Sequence, residues 1–157
     1  MGLSGRRGTS KRLQRGFQGD PAVFLPLFGH SQAAAAQGGF HLVGPGVNDA
    51  GAQEHAALNG IGRDRYTVRA GDVLSDASLL AELKQQRYGL VLANIVADVI
   101  IPLSARVPQL MAPDGVFLCS GIIDARAHEV EAALRRSGLT VTKKREKNGW
   151  VALEASL

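Results

Sequence analysis

An asparagine and an aspartate stand where short apolar segments end, and these are the side chains best placed to do chemistry. Asn94 directly follows the apolar run LVLA at residues 90–93, and Asp72 follows Gly71 after residues 66–70. Ligands of open parallel sheets collect at the carboxyl ends of the strands. The amide can hold a ligand or cap the next helix, and the aspartate can accept bonds from a ligand amine or hydroxyl or form an ordinary turn. Residue types alone leave these alternatives open.

Other reactive residue types predict structure rather than chemistry. Cys119 lies inside an apolar segment and is expected in the core, and Ser120 lacks the context of a nucleophile elbow. Trp150 is expected to pack at the edge of the sheet rather than on a ligand. No histidine has the spacing typical of a metal site, so we expect no bound metal; the four are His30, His41, His55 and His128.

The composition indicates one globular domain. The chain has 157 residues, 45% hydrophobic and 20% charged, with one cysteine, which excludes collagen-like and fully disordered classes. No run of about 18 apolar residues occurs, so we expect no membrane span, and a single cysteine suits a reducing, cytoplasmic location. Five basic residues precede Asp20 and account for the net charge of +4. This distribution is typical of a solvated tail rather than of a nucleic-acid-binding face.

The pattern of apolar residues predicts an α/β fold. Residues 1–39 show no sustained period of 2 or 3.6, whereas short strands alternate with helices from Asp49 onward. Such alternation is typical of a mostly parallel sheet, and the last two strands predict an antiparallel hairpin. The predicted strands are residues 66–70, 88–93, 116–120, 139–145 and 150–155. The predicted helices are one from Asp49, one from Asp76, one spanning 99–111 and one from Asp124, with a turn at 113–115.

Five segments, in order along the chain, resemble one family of enzymes. They are residues 54–60 (EHAALNG), 71–72 (GD), 92–100 (LANIVADVI), 120–124 (SGIID) and 149–153 (GWVAL). In residue type and separation they resemble the C-terminal catalytic domain of the bacterial ribosomal protein L11 methyltransferases, the PrmA family. The resemblance begins at residue 54 and continues to the last residue.

The resemblance implies a class I, Rossmann-like methyltransferase fold that uses S-adenosylmethionine. It also implies methyl transfer to lysine side chains and the N-terminal amine of a ribosomal protein in the stalk of the large subunit. By the same resemblance, Asn94 lies at the cofactor and, together with Ile95, presents the acceptor amine. Asp72 would belong to the adenine side of the pocket.

Methyl transfer to an amine would explain why an asparagine stands at position 94. The nitrogen must be neutral, and a lysine with a pKa of about 10.4 loses its proton at neutral pH at a cost of roughly 4 to 5 kcal/mol. An amide oxygen and a neighbouring carbonyl can accept the N–H hydrogens and fix the direction of the lone pair. Because an amide stabilises the ammonium form less than a carboxylate does, orientation and desolvation can then lower the barrier.

The sequence departs from the family before residue 50. The glycine-rich loop of the family is not recognisable, and residues 40–43, a candidate second strand, are followed by Gly44-Pro45-Gly46 where a ribose-binding acid is expected. Asp49 is either a late substitute for that acid, and so a cofactor ligand, or a helix cap.

These departures predict an incomplete domain. We expect the first strand and its glycine-rich loop to be missing, residues 1–39 to be a low-order segment foreign to the family, and residues 40–157 to be a partial catalytic domain. A truncated or frame-shifted reading of a longer gene would give this pattern. Two functions follow from it: a protein-lysine methyltransferase that uses S-adenosylmethionine, or a catalytically inactive remnant of such an enzyme.

Overall fold

The computed structural model describes residues 22–26, 40–44, 49–58 and 60–157, which form one sheet with helices packed on it. The strands are β1 (Ala22–Pro26), β2 (Phe40–Gly44), β3 (Tyr66–Ala70), β4 (Tyr88–Asn94), β5 (Met111–Ile123), β6 (Thr140–Lys147) and β7 (Trp150–Ser156). The helices are α1 (Asp49–Leu58), α2 (Ala77–Lys84), α3 (Ala97–Leu103), α4 (Val107–Leu110) and α5 (Ala127–Arg136). Short 3-10 turns at Arg63–Arg65 and Asp124–Arg126 precede β3 and α5.

The strands lie in the order β3-β2-β1-β4-β5-β7-β6. The neighbours from β3 to β5 pair in parallel, and β7 runs antiparallel to both β5 and β6. The prediction of a mostly parallel α/β sheet that ends in an antiparallel hairpin is confirmed. The strand order reverses between β1 and β4, and ligands of open α/β sheets bind at the carboxyl ends of the strands beside such a reversal.

The expectation that the first strand is missing is wrong. Ala22–Pro26 forms β1, which pairs with β2 on one side and β4 on the other, so these five residues of the segment 1–39 are not low-order. A segment this short, between Pro21 and a final Pro26, has no recognisable period of its own, because its hydrogen-bond partners come from distant strands. Residues 1–21 and 27–39, where a glycine-rich loop would follow β1, lie outside the described residues.

The apolar run that predicted a buried strand forms β4, at the centre of the sheet. Every residue of β4 except Leu92 and Asn94 is buried, as expected for a parallel strand with both faces covered. Cys119, opposite Ala93 on β5, is fully buried, which confirms its predicted place in the core. Burial raises the pKa of its thiol to about 12, so the sulfur stays protonated and unreactive at neutral pH.

The segment after β4 differs from the predicted long helix. It forms two short helices, α3 and α4, which are separated by a turn at residues 104–106; Pro102 lies inside α3, and Pro108 lies in the first turn of α4, a position that proline favours. The predicted turn at 113–115 is part of β5, which begins already at Met111. Its register against β4 shifts between Tyr88 and Leu90, so these turn-forming residues make a bulge and not a break in the strand.

The hairpin of β6 and β7 has the turn that its sequence requires. Asn148 and Gly149 both have positive φ angles, 54° and 76°, which is the geometry of a two-residue turn whose twist matches the strands. The hairpin places Trp150 opposite Ile123, at the carboxyl end of β5.

We predict that the core depends on α2 through Leu83. Leu83→Ala should lower the free energy of unfolding by about 2 to 5 kcal/mol, because this side chain is fully buried and its loss leaves a cavity. Leu58→Ala is the matched control: that leucine is 77% exposed, and its truncation should change stability by less than about 0.5 kcal/mol. Urea unfolding followed by circular dichroism measures both, and equal losses would contradict the packing described above.

Candidate functional site

The last residues of β1 and β4 lie level with Ser120 of β5, beside the reversal of strand order. Pro26, the last residue of β1, lies opposite Asn94 on β4, and Asn94 lies opposite Ser120 on β5. The strand pairing therefore brings Asn94 to the carboxyl edge of the sheet, as its position after an apolar run predicts. The site is built from these strand ends and the residues that directly follow them.

The Asn94 side chain is exposed at this edge and does not cap a helix. Helix α3 begins after Val96, which occupies the capping position and provides no side-chain hydrogen bond. The Asn94 Oδ1 atom instead accepts a hydrogen bond of 3.1 Å from the Ser120 hydroxyl. The helix-cap interpretation is thus wrong, and the amide remains available to a ligand.

Ile95 contributes its backbone to the site and its side chain to the core. The side chain is buried, and the backbone N–H donates a hydrogen bond of 3.1 Å to the carbonyl oxygen of Ser120. That bond fixes the peptide that follows Asn94. The carbonyl oxygen is therefore the group of Ile95 that can contact a ligand.

Gly121 lies close to the Asn94 side-chain oxygen and to the Ile95 carbonyl oxygen. Its φ angle is +82°, and a Cβ atom placed on it would lie 3.0 Å from the Ile95 carbonyl oxygen and 3.2 Å from Asn94 Oδ1. The side-chain oxygen of Asn94, the last residue of β4, and the carbonyl oxygen of Ile95, which follows it, therefore border the same small volume beside Gly121, and a side chain at residue 121 would crowd both. The contact of Gly121 with these oxygens was not predicted from the sequence, because no local pattern reveals a contact between residues so distant along the chain.

Asp72 lies at the same edge, beyond β3, and its carboxylate closes a turn. Oδ1 accepts a hydrogen bond of 2.9 Å from the N–H of Leu74, and Oδ2 accepts one of 2.8 Å from the Ser75 hydroxyl. The predicted turn is therefore present. The carboxylate is exposed, and each oxygen retains the capacity to accept a further bond.

Asp49 is not brought together with Asn94. It is the first residue of α1, and its Oδ1 accepts a hydrogen bond of 2.9 Å from Arg63 Nη2. Arg63 Nη1 also donates to the carbonyl oxygen of Tyr66, the first residue of β3, and the guanidinium lies 4.7 Å from the centre of the Tyr66 ring. These contacts hold Asp49 near the amino end of β3, on the far side from the strand ends that form the site.

Arg126 stabilises the segments on either side of the site. Its Nε donates to Glu129 Oε1 at 2.6 Å, and its Nη2 donates to Asp98 Oδ1 at 3.0 Å, linking the chain after β5 to the start of α3. The hydrogen bond from Arg126 holds the pKa of Glu129 below its usual value. The ion pair of Arg126 and Glu129 was not predicted, although residues three apart are known to pair on helices.

Exposed apolar side chains surround this part of the edge. Val96, Ile123 and Trp150 are 41%, 48% and 55% exposed. The expectation that Trp150 packs at the edge of the sheet is wrong, because β7 lies between β5 and β6 and the ring is open to solvent. The pairing of Ile123 with Trp150 places two of these side chains on one face.

The described part of the chain contains neither a candidate metal cluster nor a candidate membrane-spanning helix. Among the described residues, no three histidine, cysteine, aspartate or glutamate side chains are grouped closely enough to hold a metal ion. No described helix has the length and apolar character needed to cross a membrane.

A family model matches most of the chain. Residues 47–157 match the model described as ribosomal protein L11 methyltransferase (PrmA). The chain belongs to this family. The matched segment contains Asp49, Asp72, Asn94, Ser120 and Gly121, whereas β1 and β2 precede it.

Relatives of known family support the assignment. The chain is 45% identical over 104 residues to the ribosomal protein L11 methyltransferase of Desulfitobacterium hafniense, which is 66% of this chain and 31% of that protein. It is 32% identical over 103 residues to that of Agathobacter rectalis, again 66% of this chain and 32% of the relative. The matched part therefore spans about a third of the length of these relatives.

Solved structures share the fold at low sequence identity. The L11 methylase of Lactobacillus delbrueckii subsp. bulgaricus superposes with a TM-score of 0.69 at 19% identity, covering 94% of this chain and 75% of that one. SMU.776, assigned as a methyltransferase and solved in complex with SAH, gives 0.72 at 12% identity, covering 100% and 50%. The fold is that of the class I methyltransferases, whose cofactor is S-adenosylmethionine.

We predict that Gly121 is required because of crowding as well as its backbone angle. Gly121→Ala should destabilise the PrmA-family fold by more than Gly138→Ala, because both glycines have nearly the same φ, +82° and +83°, but no atom lies within 4 Å of a Cβ on Gly138. Gly138→Ala should cost about 1 to 2 kcal/mol, the strain of a left-handed alanine. Chemical denaturation compares them, and equal costs would show that the space beside Gly121 is not restricted.

Proposed function

We propose that this chain carries the methyl-transfer site of a ribosomal protein L11 methyltransferase, acting on lysine side chains and the N-terminal amine of that stalk protein in the cytoplasm. The observation that carries the proposal is the convergence of Asn94 Oδ1 and the Ile95 carbonyl oxygen on the volume beside Gly121. Two acceptor oxygens that border one small volume suit a primary amine, which brings hydrogens to both. Direct binding to nucleic acid or to a membrane is not part of the proposal.

The two oxygens would hold the acceptor nitrogen in its neutral form with its lone pair free. A neutral lysine amine has two N–H hydrogens, one for each oxygen, so its lone pair points away from both. A carboxylate in place of Asn94 would favour the ammonium form, which has no lone pair for the reaction. The chain thereby orients the nucleophile, and orientation in a near-attack geometry is a large part of catalysis for a reaction between two bound partners.

The described residues fit the cofactor of the family. S-adenosylmethionine, when bound, supplies an electrophilic methyl carbon on a sulfonium sulfur. Asn94 and Asp72 lie at the same edge with β1 and β2 between their strands, a separation of roughly 14 Å at the usual spacing of strands, and both side chains are exposed. An elongated nucleoside with an amino-acid tail suits such a distance. Asp72 would accept hydrogen bonds on the adenine side.

In this proposal Asp49 has a structural role and does not bind the ribose. Its carboxylate is paired with Arg63, which is anchored to the amino end of β3. A ligand role for Asp49 would require that pair to open and the start of α1 to move toward the other end of the strand.

A catalytically inactive remnant is the second candidate. Its support is the end of β2, which is Gly44 in place of the acid expected in the family, with no substitute at that position among the described residues. A protein of this kind would keep the fold and lack the affinity for the cofactor.

We predict that the purified chain binds S-adenosylmethionine with a micromolar dissociation constant in isothermal titration calorimetry. Asp72→Asn should weaken binding by about 3- to 10-fold, because one exposed hydrogen bond to an anionic acceptor becomes a neutral one. Asp64→Asn, which changes an exposed aspartate in the 3-10 turn before the amino end of β3, serves as the matched control and should bind as the wild type does. No heat of binding at millimolar cofactor would favour the inactive remnant.

We predict that Asn94→Ala lowers methyl transfer to ribosomal protein L11 by about 100-fold or more, because the nitrogen loses an orienting acceptor. The fold should lose only about 1 kcal/mol, since the exposed side chain makes a single bond to Ser120. Gln86→Ala truncates an exposed amide away from the edge and should leave the rate unchanged.

Asn94→Asp completes the test of the amide. The added charge should raise the pKa of the bound amine, so the rate should begin to rise only at a higher pH than in the wild type. Radiolabelled methyl transfer measured across pH gives both results. Wild-type rates in Asn94→Ala would remove this residue from the reaction.

A further inference from the structure

Ser120 makes two contacts with the segment that carries the acceptor oxygens. Its hydroxyl donates to Asn94 Oδ1 at 3.1 Å, and its carbonyl oxygen accepts the N–H of Ile95 at 3.1 Å. The register of β4 and β5 places Ser120 directly opposite Asn94, so both contacts follow from strand pairing. Within the described part of the chain, this hydroxyl is the group that hydrogen-bonds the Asn94 amide.

The orientation of the amide decides what it offers to an amine. With Oδ1 toward the volume beside Gly121, the amide accepts an N–H; rotated by half a turn about its last bond, it presents N–H groups that repel those of the amine. An exposed asparagine side chain reorients readily unless a neighbour holds it. A carbonyl-type oxygen accepts two hydrogen bonds, so Oδ1 can take one from Ser120 and one from a ligand.

We propose that Ser120 is a positioning residue that holds the Asn94 amide with its oxygen toward the acceptor nitrogen. This inference rests on the proposed function and deepens it by naming the residue that orients the amide. Ser120 takes no part in bond making: the methyl group goes to nitrogen, and the hydroxyl stays bonded to Oδ1. Its effect on the reaction passes through Asn94.

Kinetics of two substitutions test the role. Ser120→Ala should lower kcat for methyl transfer to ribosomal protein L11 by about 3- to 10-fold, the effect of losing one hydrogen bond, and leave KM for S-adenosylmethionine unchanged. Ser120→Thr keeps a hydroxyl and should retain kcat within about 2-fold of the wild type. Ser137→Ala is the matched control, because it removes a hydroxyl that donates to the carbonyl oxygen of Ala133 in α5, and its kcat should equal that of the wild type.

A double variant separates positioning from a general structural role. Adding Ser120→Ala to Asn94→Ala should cause no further loss of rate, because no amide remains to be oriented. Multiplication of the two losses would overturn the proposal, as would a kcat of Ser120→Ala within the error of the wild type.

A measurement without turnover keeps the two hypotheses apart. In ¹⁵N-labelled wild-type protein, the order parameter of the Asn94 side-chain amide should be about 0.8. In Ser120→Ala this order parameter should fall below about 0.6. Equal order parameters would overturn the positioning role even in an active enzyme. A wild type that is ordered here but transfers no methyl group would contradict the proposed function while the positioning role stands.

Discussion

The parallel hydrogen-bond register that joins β1, β4 and β5 is the constraint on which the site depends. It sets Pro26 and Asn94, the last residues of β1 and β4, side by side with Ser120 of β5. A slip of one residue would turn every side chain of β4 to the opposite face, exchanging Asn94 for a buried neighbour. The apolar side chains of β4 oppose such a slip, because a shift toward the interior would bury the polar amide and a shift outward would expose buried apolar side chains. Core packing thus determines the position of an exposed group.

In this domain the buried strands provide a rigid framework, and the residues at the strand ends provide the groups that can contact a ligand. The residues before Asn94 and Ser120 are largely buried, whereas Asn94 itself is exposed and buried side chains alternate with exposed ones after it. Gly121 has no side chain that would crowd the acceptor oxygens, and Arg126 links the segment after β5 to the start of α3 through a hydrogen bond to Asp98. The fold is that of the class I methyltransferases, and the PrmA family assignment rests on residues 47–157. Fold and family agree with the strand order, which reverses between β1 and β4, the position at which ligands of open α/β sheets bind.

Sequence patterns predicted the elements whose signals are local. The polar residue after the apolar run of β4 located Asn94, and Asp76 was predicted to begin α2, where its side chain accepts from two backbone N–H groups. They did not reveal β1, because a strand of five residues is defined by its partners, nor the role of Gly121, because its contact with Ile95 comes from the folded sheet. The long helix predicted after β4 was wrong, because a turn at residues 104–106 divides it and a second helix begins at Val107-Pro108.

The most direct measurement is a crystal structure of this chain with S-adenosylhomocysteine and a lysine peptide of ribosomal protein L11. The account predicts that the lysine nitrogen lies within about 2.7 to 3.2 Å of both Asn94 Oδ1 and the Ile95 carbonyl oxygen, beside Gly121. A nitrogen bound at any other place, or an Asn94 side chain turned away from it, would contradict the account.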